Sequence, residues 1–178
     1  MKYQQAVNTG RGIAIATLHL GHWELMAAAL AQKGFSVLAV SARIKASPLH
    51  QRLEQVRRRL GVRTVQPGGG GRTLLRTLRT KGTISIFIDQ NTTEQSRDLP
   101  FLGKPASTPI TFERLVKASN AVPLMIWNYR TPAGDYVIEL AELDEADPLG
   151  SATRLAETLI KTYPSQWVWL HRRWGRTD

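Results

Sequence analysis

Cysteine is absent from the 178 residues. That removes a disulfide framework, a thiolate metal site and a cysteine nucleophile at once. No apolar run approaches the roughly 18 residues that a membrane-spanning helix requires. The opening stretch MKYQQAVNTGRG lacks the apolar core of a secretory signal. Acids are scarce, with 14 Asp and Glu against 24 Lys and Arg, giving a net charge of +10 and a pI near 10.5. Aromatic residues make up only 7% of the chain, and none falls in the basic stretch 43–81. A base-stacking surface for nucleic acid is therefore not expected there. No G-x-S-x-G elbow is present. The four glycines at 68–71 are followed by Arg-Thr rather than Lys-Ser/Thr, so the Walker pattern fails as well.

The charge that is present is unevenly spread. Residues 43–81 hold 11 Lys and Arg against Glu54 alone, whereas residues 135–157 hold seven acids against Arg154 alone. Such asymmetry implies an anionic partner, such as acidic lipid, a phosphorylated ligand or an acidic carrier protein, or else two solvated faces. With 42% hydrophobic and 21% charged residues, the chain has the composition of one folded domain.

Strands and helices alternate along the sequence. Apolar runs predict strands at 12–18, 35–41, 62–66 and 83–88. Helical patterns fall between them at 22–33, 47–60 and 72–81, ending at Gly34, Gly61 and Gly82. Ser47 and Pro48 form a cap and first-turn pair, and Leu49, Leu53, Val56 and Leu60 mark an inward stripe with the arginines outside it. Residues 67–71 predict a flexible loop and 91–107 a long polar loop. Thr108-Pro109 predicts the start of a helix running to about Asn120. Two strands at 122–130 and 135–142 with a hairpin turn follow, then a helix at 151–162, and QWVWLHRRW predicts a last strand. The expected fold is α/β, with a mainly parallel central sheet and helices on both faces, in a single domain spanning 1–178. Sites in such sheets form at the carboxyl ends of strands, which nominates His19, Arg43 and Asp89 to converge.

HLGHWE at 19–24 sets a histidine at a strand end and a carboxylate five residues on, at a helix start. A turn between them would fold Glu24 back onto the His19 imidazole, fixing its tautomer and stabilising its charged form. The same two residues also fit a surface histidine near a helix N-terminal acid that favours the dipole. His19 and His22 form an H-x-x-H pair, but no third ligand lies near, so no metal is expected.

Several segments together resemble the late acyltransferases of lipid A biosynthesis, the lauroyl and myristoyl transferases within the lysophospholipid acyltransferase superfamily. HLGHWE matches the H-x4-D/E motif, FIDQ at 87–90 and PFLGKPASTP at 100–109 match two further blocks, and YPSQWVWLHRRW at 163–174 resembles the C-terminal block. Members usually carry Asn where His22 stands, and usually have a long N-terminal region with a hydrophobic anchoring helix, whereas here the motif begins at residue 19.

The resemblance implies a glycerol-3-phosphate acyltransferase-like fold and O-acyl transfer without a cofactor. The acyl group would pass from acyl carrier protein or coenzyme A to a hydroxyl of a lipid A precursor or related membrane lipid. His19 is then the expected general base and Glu24 its partner. Backbone N–H groups of the turn after His19 would form the oxyanion hole. Arg43 and Lys104 would grip acceptor phosphate, and Asp89 and Gln90 would position the acceptor or anchor a loop. The basic stretch would dock an anionic membrane face or the carrier protein, at the cytoplasmic side of the inner membrane. Alternatives are another acceptor (a lysophospholipid, ornithine lipid or glycolipid) or a non-catalytic homologue that binds lipid or a partner.

Overall fold

The computed structural model describes residues 2–41, 48–66, 70–92 and 95–175. Helix α1 (Lys2–Asn8) precedes strand β1 (Ile13–Thr17), helix α2 (Trp23–Gln32) and strand β2 (Val37–Val40). Helix α3 (Pro48–Arg59), strand β3 (Arg63–Val65), helix α4 (Gly70–Arg79) and strand β4 (Thr83–Phe87) follow. Then come strands β5 (Ser96–Phe101) and β6 (Lys104–Pro109), helix α5 (Thr111–Ser119), strands β7 (Val122–Arg130) and β8 (Tyr136–Glu142), and helix α6 (Pro148–Thr162). The main sheet has six strands in the order β3-β2-β4-β1-β7-β8, all parallel except the β7–β8 hairpin. The expected α/β class and mainly parallel sheet are present.

The sheet has two unlike faces. Ala14, Ala16, Ile84, Ile86 and Met125 point into the larger core, which Leu74 and Leu78 of α4, Phe112 and Leu115 of α5 and Ala152 and Ala156 of α6 close. Ile13, Ile15, Leu124 and Ile126 point the other way, into a smaller cluster with Ala6 of α1 and Met26 of α2. The alternation follows from the two-residue period of a strand. It places Thr17, Ser85, Phe87 and Ala39 on the thinly covered face.

Four elements differ from the sequence expectation. Residues 96–109 form a hairpin rather than a polar loop, paired from Ser96↔Pro109 to Phe101↔Lys104 and turning at Leu102-Gly103. Thr108 and Pro109 finish its second strand, so α5 starts only at Thr111. The hairpin is pinned to the helices: Arg97 bonds Asp147 at 2.9 Å, and the Leu102 N–H donates to Glu157 at 2.5 Å. The terminal tryptophan segment forms a 3₁₀ turn (Pro164–Gln166) and a single bridge, Leu20↔Trp167, rather than a strand. Residues 2–8 are helical, which no sequence pattern had marked.

The stripe of α3 is not fully inward. Val56 and Leu60 are exposed, while Arg57, expected outside, is largely buried. Ion pairing outweighs the apolar pattern there, because two carboxylates reach the guanidinium. The glycine loop falls mostly outside the described residues, although Gly70 and Gly71 already belong to α4.

Candidate active site

In the β1–β4 register Thr17 lies opposite Phe87. Two residues further along each strand come His19 and Asp89, so the parallel pairing carries them side by side past the carboxyl ends. The His19 Nδ1 lies 2.9 Å from one Asp89 carboxylate oxygen. The second oxygen accepts the His19 backbone N–H at 2.8 Å and the Trp167 indole N–H at 2.8 Å. A carboxylate only accepts, so Nδ1 carries the proton and Nε2 presents its lone pair. Among the described residues no group is hydrogen-bonded to Nε2.

Asp89 is 3% exposed. Burial is the largest influence on its carboxyl and favours the neutral acid. The His19 hydrogen bond and charge, the indole N–H and the backbone N–H together outweigh burial and hold the pKa below the ordinary aspartate value. Asp89 is therefore a carboxylate against the imidazole at neutral pH. Phe87 stacks on the imidazole with centroids 4.0 Å apart, and Trp23 meets it edge-on at 4.9 Å. These contacts fix the ring plane.

The turn carrying His19 is held from both sides. Gly21 has φ +63°, and a Cβ there would lie 2.4 Å from both the carbonyl and the side-chain oxygen of Asn128. The buried Asn128 accepts the His22 N–H at 2.8 Å. Gln166 accepts the Gly21 N–H at 2.9 Å, and the Val168 N–H donates to the His19 carbonyl at 3.0 Å. His22 caps α2, its Nδ1 accepting the Leu25 N–H at 3.2 Å. That is the usual work of Asn at such a position.

Glu24 makes no hydrogen bond or ion pair with His19. Its carboxylate is taken by Arg57, which also bonds Glu54 and Ser41. The hydrogen bond with Glu24 is the chief reason the guanidinium holds its proton more tightly than usual, against the cost of burial. The sequence-expected partner is thus replaced by Asp89. The Gly21 turn sends α2 off toward α3, and the first helical turn delivers Glu24 there. Of the expected oxyanion donors in the turn after His19, the Gly21 and His22 N–H groups are already bonded to Gln166 and Asn128. The Trp23 and Glu24 N–H groups, in the first turn of α2, have no partner among the described residues.

Neither Gln90 nor Lys104 is hydrogen-bonded to His19 or Asp89. Gln90 follows Asp89 and is exposed, and Lys104 is exposed beside the β5–β6 turn. Arg43 lies outside the described residues. No metal-binding group of His, Asp and Glu occurs among the described residues. Trp167 and Asn128 were not foreseen as site residues. Asn128 had a usable signal, as the lone amide within the otherwise apolar VPLMIWN run.

Under α2 on the thinner sheet face runs a slot of about 70 Å³. Phe87 and Trp23, the aromatic neighbours of His19, stand at one end, and Phe35 and Val37 at the other. Its walls are small where chain and helix face each other: Ala39 and Ser85 below, Ala27 and Ala31 above. Small facing side chains leave the space that larger ones would fill.

The family model for bacterial lipid A biosynthesis acyltransferases matches residues 2–176. Similar proteins include two phosphatidylinositol mannoside acyltransferases. The one from Mycobacterium tuberculosis (strain CDC 1551 / Oshkosh) is 24% identical over 95% of this chain and 56% of its own length. The one from Mycolicibacterium smegmatis is 25% identical over 95% of this chain and 59% of its own length. The chain thus spans a little over half the length of the curated relatives it matches.

Proposed function

Because the chain belongs to the bacterial lipid A biosynthesis acyltransferase family, we propose that it moves a fatty acyl group from a thioester to a hydroxyl of a membrane lipid, with His19 as general base and Asp89 as the group that orients it. The observation that carries this reading is the His19–Asp89 pair, with Nδ1 held at 2.9 Å and Nε2 left for a substrate proton. Nε2 takes the proton of the acceptor hydroxyl as its oxygen attacks the thioester carbonyl. The tetrahedral intermediate collapses to an ester and expels the thiolate, which takes the proton back from the imidazolium. No acyl-enzyme is needed, consistent with a chain that lacks cysteine. The negative charge of the intermediate is met by the positive end of α2, through the N–H groups of Trp23 and Glu24.

The first carbons of the fatty chain lie in the slot beneath α2, with the thioester at the Phe87–Trp23 end. Glu24 and Arg57 brace that end by tying α2 to α3. Gln90 and Lys104 meet the polar head of the acceptor, as does Arg43. Acyl carrier protein and coenzyme A are the two donor forms. Among the described residues no helix is long and apolar enough to cross a membrane. Contact with the cytoplasmic face of the inner membrane is supported by exposed cations and by exposed apolar side chains. Arg52, Arg58, Arg59, Arg72, Arg76, Arg79 and Lys81 are exposed on α3, α4 and the turn after it. Beside the His19 turn, Trp169 and Leu170 are 52% and 96% exposed.

The acceptor has two readings. The family points to a lipid A precursor, and the named relatives favour a mannosylated phosphatidylinositol. The test is mass spectrometry of each lipid after incubation with the protein and an acyl thioester. A gain of one acyl group on one lipid selects the acceptor. No gain on either, with both carrier-protein and coenzyme A donors, would sink the acyl-transfer reading for this chain.

A further inference from the structure

Beyond one bridge, residues 164–175 add no strand to the sheet, yet they meet the loops around His19 and Asp89 at several points. The Gln166 carbonyl and the Val168 N–H hold the His19 turn. His171 Nε2 accepts the N–H of Asn91, two residues past Asp89, at 2.6 Å. Arg173 bonds Ser107 and Thr108, and the Trp174 indole donates to the Phe101 carbonyl at 3.1 Å. Among the described residues of this segment, Trp167 is the one whose side chain is hydrogen-bonded to the His19–Asp89 pair. Its ring is 4% exposed, packed edge-on against Trp169 at 4.6 Å and tilted against Phe101 at 5.9 Å. Its backbone forms the bridge with Leu20, the residue after His19.

We propose that Trp167 is a positioning residue of the transfer reaction, its indole N–H fixing the rotation of the Asp89 carboxylate that orients His19. The proposal rests on His19 being the general base. Rotation of an aspartate carboxyl about its last bond is soft, with broad wells. Its partners therefore decide where the two oxygens lie. Three N–H groups hold them: the His19 ring N–H on one oxygen, and the His19 backbone N–H and the Trp167 indole N–H on the other. Two of the three belong to His19, so they follow the residue that the carboxylate has to orient. The indole comes from 78 residues away in the chain and gives the carboxylate a reference independent of His19. The two charged neighbours on the same segment are bonded elsewhere, His171 Nε2 to Asn91 and the Arg173 guanidinium to Ser107 and Thr108. An indole nitrogen only donates, so this contact cannot reverse its sense as a hydroxyl could. Without it, the second oxygen of a buried carboxylate keeps a single donor, and the angle at which Nδ1 is gripped is no longer set by the frame of the fold.

The experiment pairs kinetics of the whole chain, with an acyl thioester and the accepted lipid, with ¹H and ¹⁵N resonances of the His19 ring. Trp167→Phe keeps an aromatic ring in place and removes the N–H. Its kcat should fall about 10–100-fold, the effect of one hydrogen bond to a charged group on a barrier, with KM for lipid and thioester changed by less than about threefold. The Nδ1 proton of His19, bonded to Asp89 in the wild type, should exchange faster with water in the variant. Trp174→Phe is the matched control, because it removes an indole hydrogen bond from the same aromatic cluster without reaching Asp89. Its kcat and its Nδ1 proton should stay as in the wild type. If Trp167→Phe does not fold, replacing Trp167 by benzothienylalanine keeps the shape of the side chain and exchanges the N–H for sulfur, and the same loss is expected. A kcat within about threefold of the wild type with an unchanged Nδ1 proton, or equal losses from Trp167→Phe and Trp174→Phe, overturns the positioning role. The general base still stands in that case if His19→Ala is impaired. His19→Ala as active as the wild type removes the base itself, and the role of Trp167 with it.

Discussion

Replacing Asp89 with Asn exchanges one acceptor oxygen for a donor while keeping size and shape. The structure dictates which way the amide turns. The position now held by the second oxygen receives two N–H groups, from the His19 backbone and Trp167, each at 2.8 Å. An NH2 group there would face two donors, so the amide oxygen must take it and the NH2 must face Nδ1 of His19. Nδ1 then becomes an acceptor, the proton moves to Nε2, and the imidazole is left in the tautomer that cannot take a proton from an acceptor hydroxyl. In a serine protease triad the same exchange costs about 10⁴-fold through this fault. A loss of about 10³–10⁴-fold in kcat is expected for Asp89→Asn, or about 4–5.5 kcal/mol of barrier. Folding should change little, by less than about 2 kcal/mol, because the count of hydrogen bonds is kept and a buried charge is removed.

The acid limb should change too. Asp89 titrates below its unfolded value in the native protein, so its stabilising effect is complete above about pH 4 and is lost as pH falls through the lower native value. The variant lacks that limb. The assay pairs initial rates with ¹⁵N chemical shifts of the His19 ring, which report the tautomer directly. A variant within about fivefold of the wild-type rate, or one whose Nδ1 still carries the proton, would refute the reasoning.

Glu24→Gln should lower stability by about 1–2 kcal/mol, since Arg57 keeps Glu54 and Ser41 but loses a charged partner, and the His19 tautomer should stay as in the wild type. Thermal unfolding and the same ring shifts check both halves, and a switched tautomer would restore Glu24 as the partner of His19. Gly21→Ala should cost at least about 3 kcal/mol, because the new Cβ collides with Asn128 and the residue must hold a positive φ; a melting temperature unchanged in the variant would contradict the built turn. Burial holds His171 below its ordinary pKa, more than the Asp89 charge raises it, and its Nε2 accepts the Asn91 N–H at 2.6 Å. The unfolded chain therefore binds the proton first, and stability should fall as pH drops below about 6.5. His171→Gln keeps an acceptor but cannot charge, so its unfolding midpoint should vary less between about pH 7 and pH 5; an equal slope would remove His171 from the account.

The parallel strands β1 to β4 were legible because both of their faces are covered or nearly so, which makes short continuous apolar runs such as GIAIATL and TISIFI. The β5–β6 hairpin was not, because SRDLPF and KPASTP carry three prolines and no alternation. Its strands are held instead by Arg97 to Asp147 and by the buried Arg173, which bonds the Ser107 carbonyl and the Thr108 hydroxyl at 2.6 Å each. Such partners lie dozens of residues away and leave no local period. The site shows the same division. Spacing in HLGHWE marked His19, and the strand-end rule nominated Asp89. Which carboxylate meets the imidazole depends on the register between β1 and β4, and a single sequence does not display register. Trp167 reaches Asp89 from 78 residues away for the same reason. A strand would put Trp167 and Trp169 on one face; instead Trp167 is buried and Trp169 exposed, because the chain turns away after the single bridge at Trp167.

Direct transfer through His19 is tested most plainly by mass spectrometry of lipid and protein together, for the wild type and His19→Ala, after incubation with an acyl thioester and the accepted lipid. The account predicts one acyl group added to the lipid by the wild type, a rate about 10²–10⁴-fold lower in the variant, and no acyl group on either protein. Equal acylation of the lipid by His19→Ala, or an acyl group trapped on the wild-type chain, would contradict it.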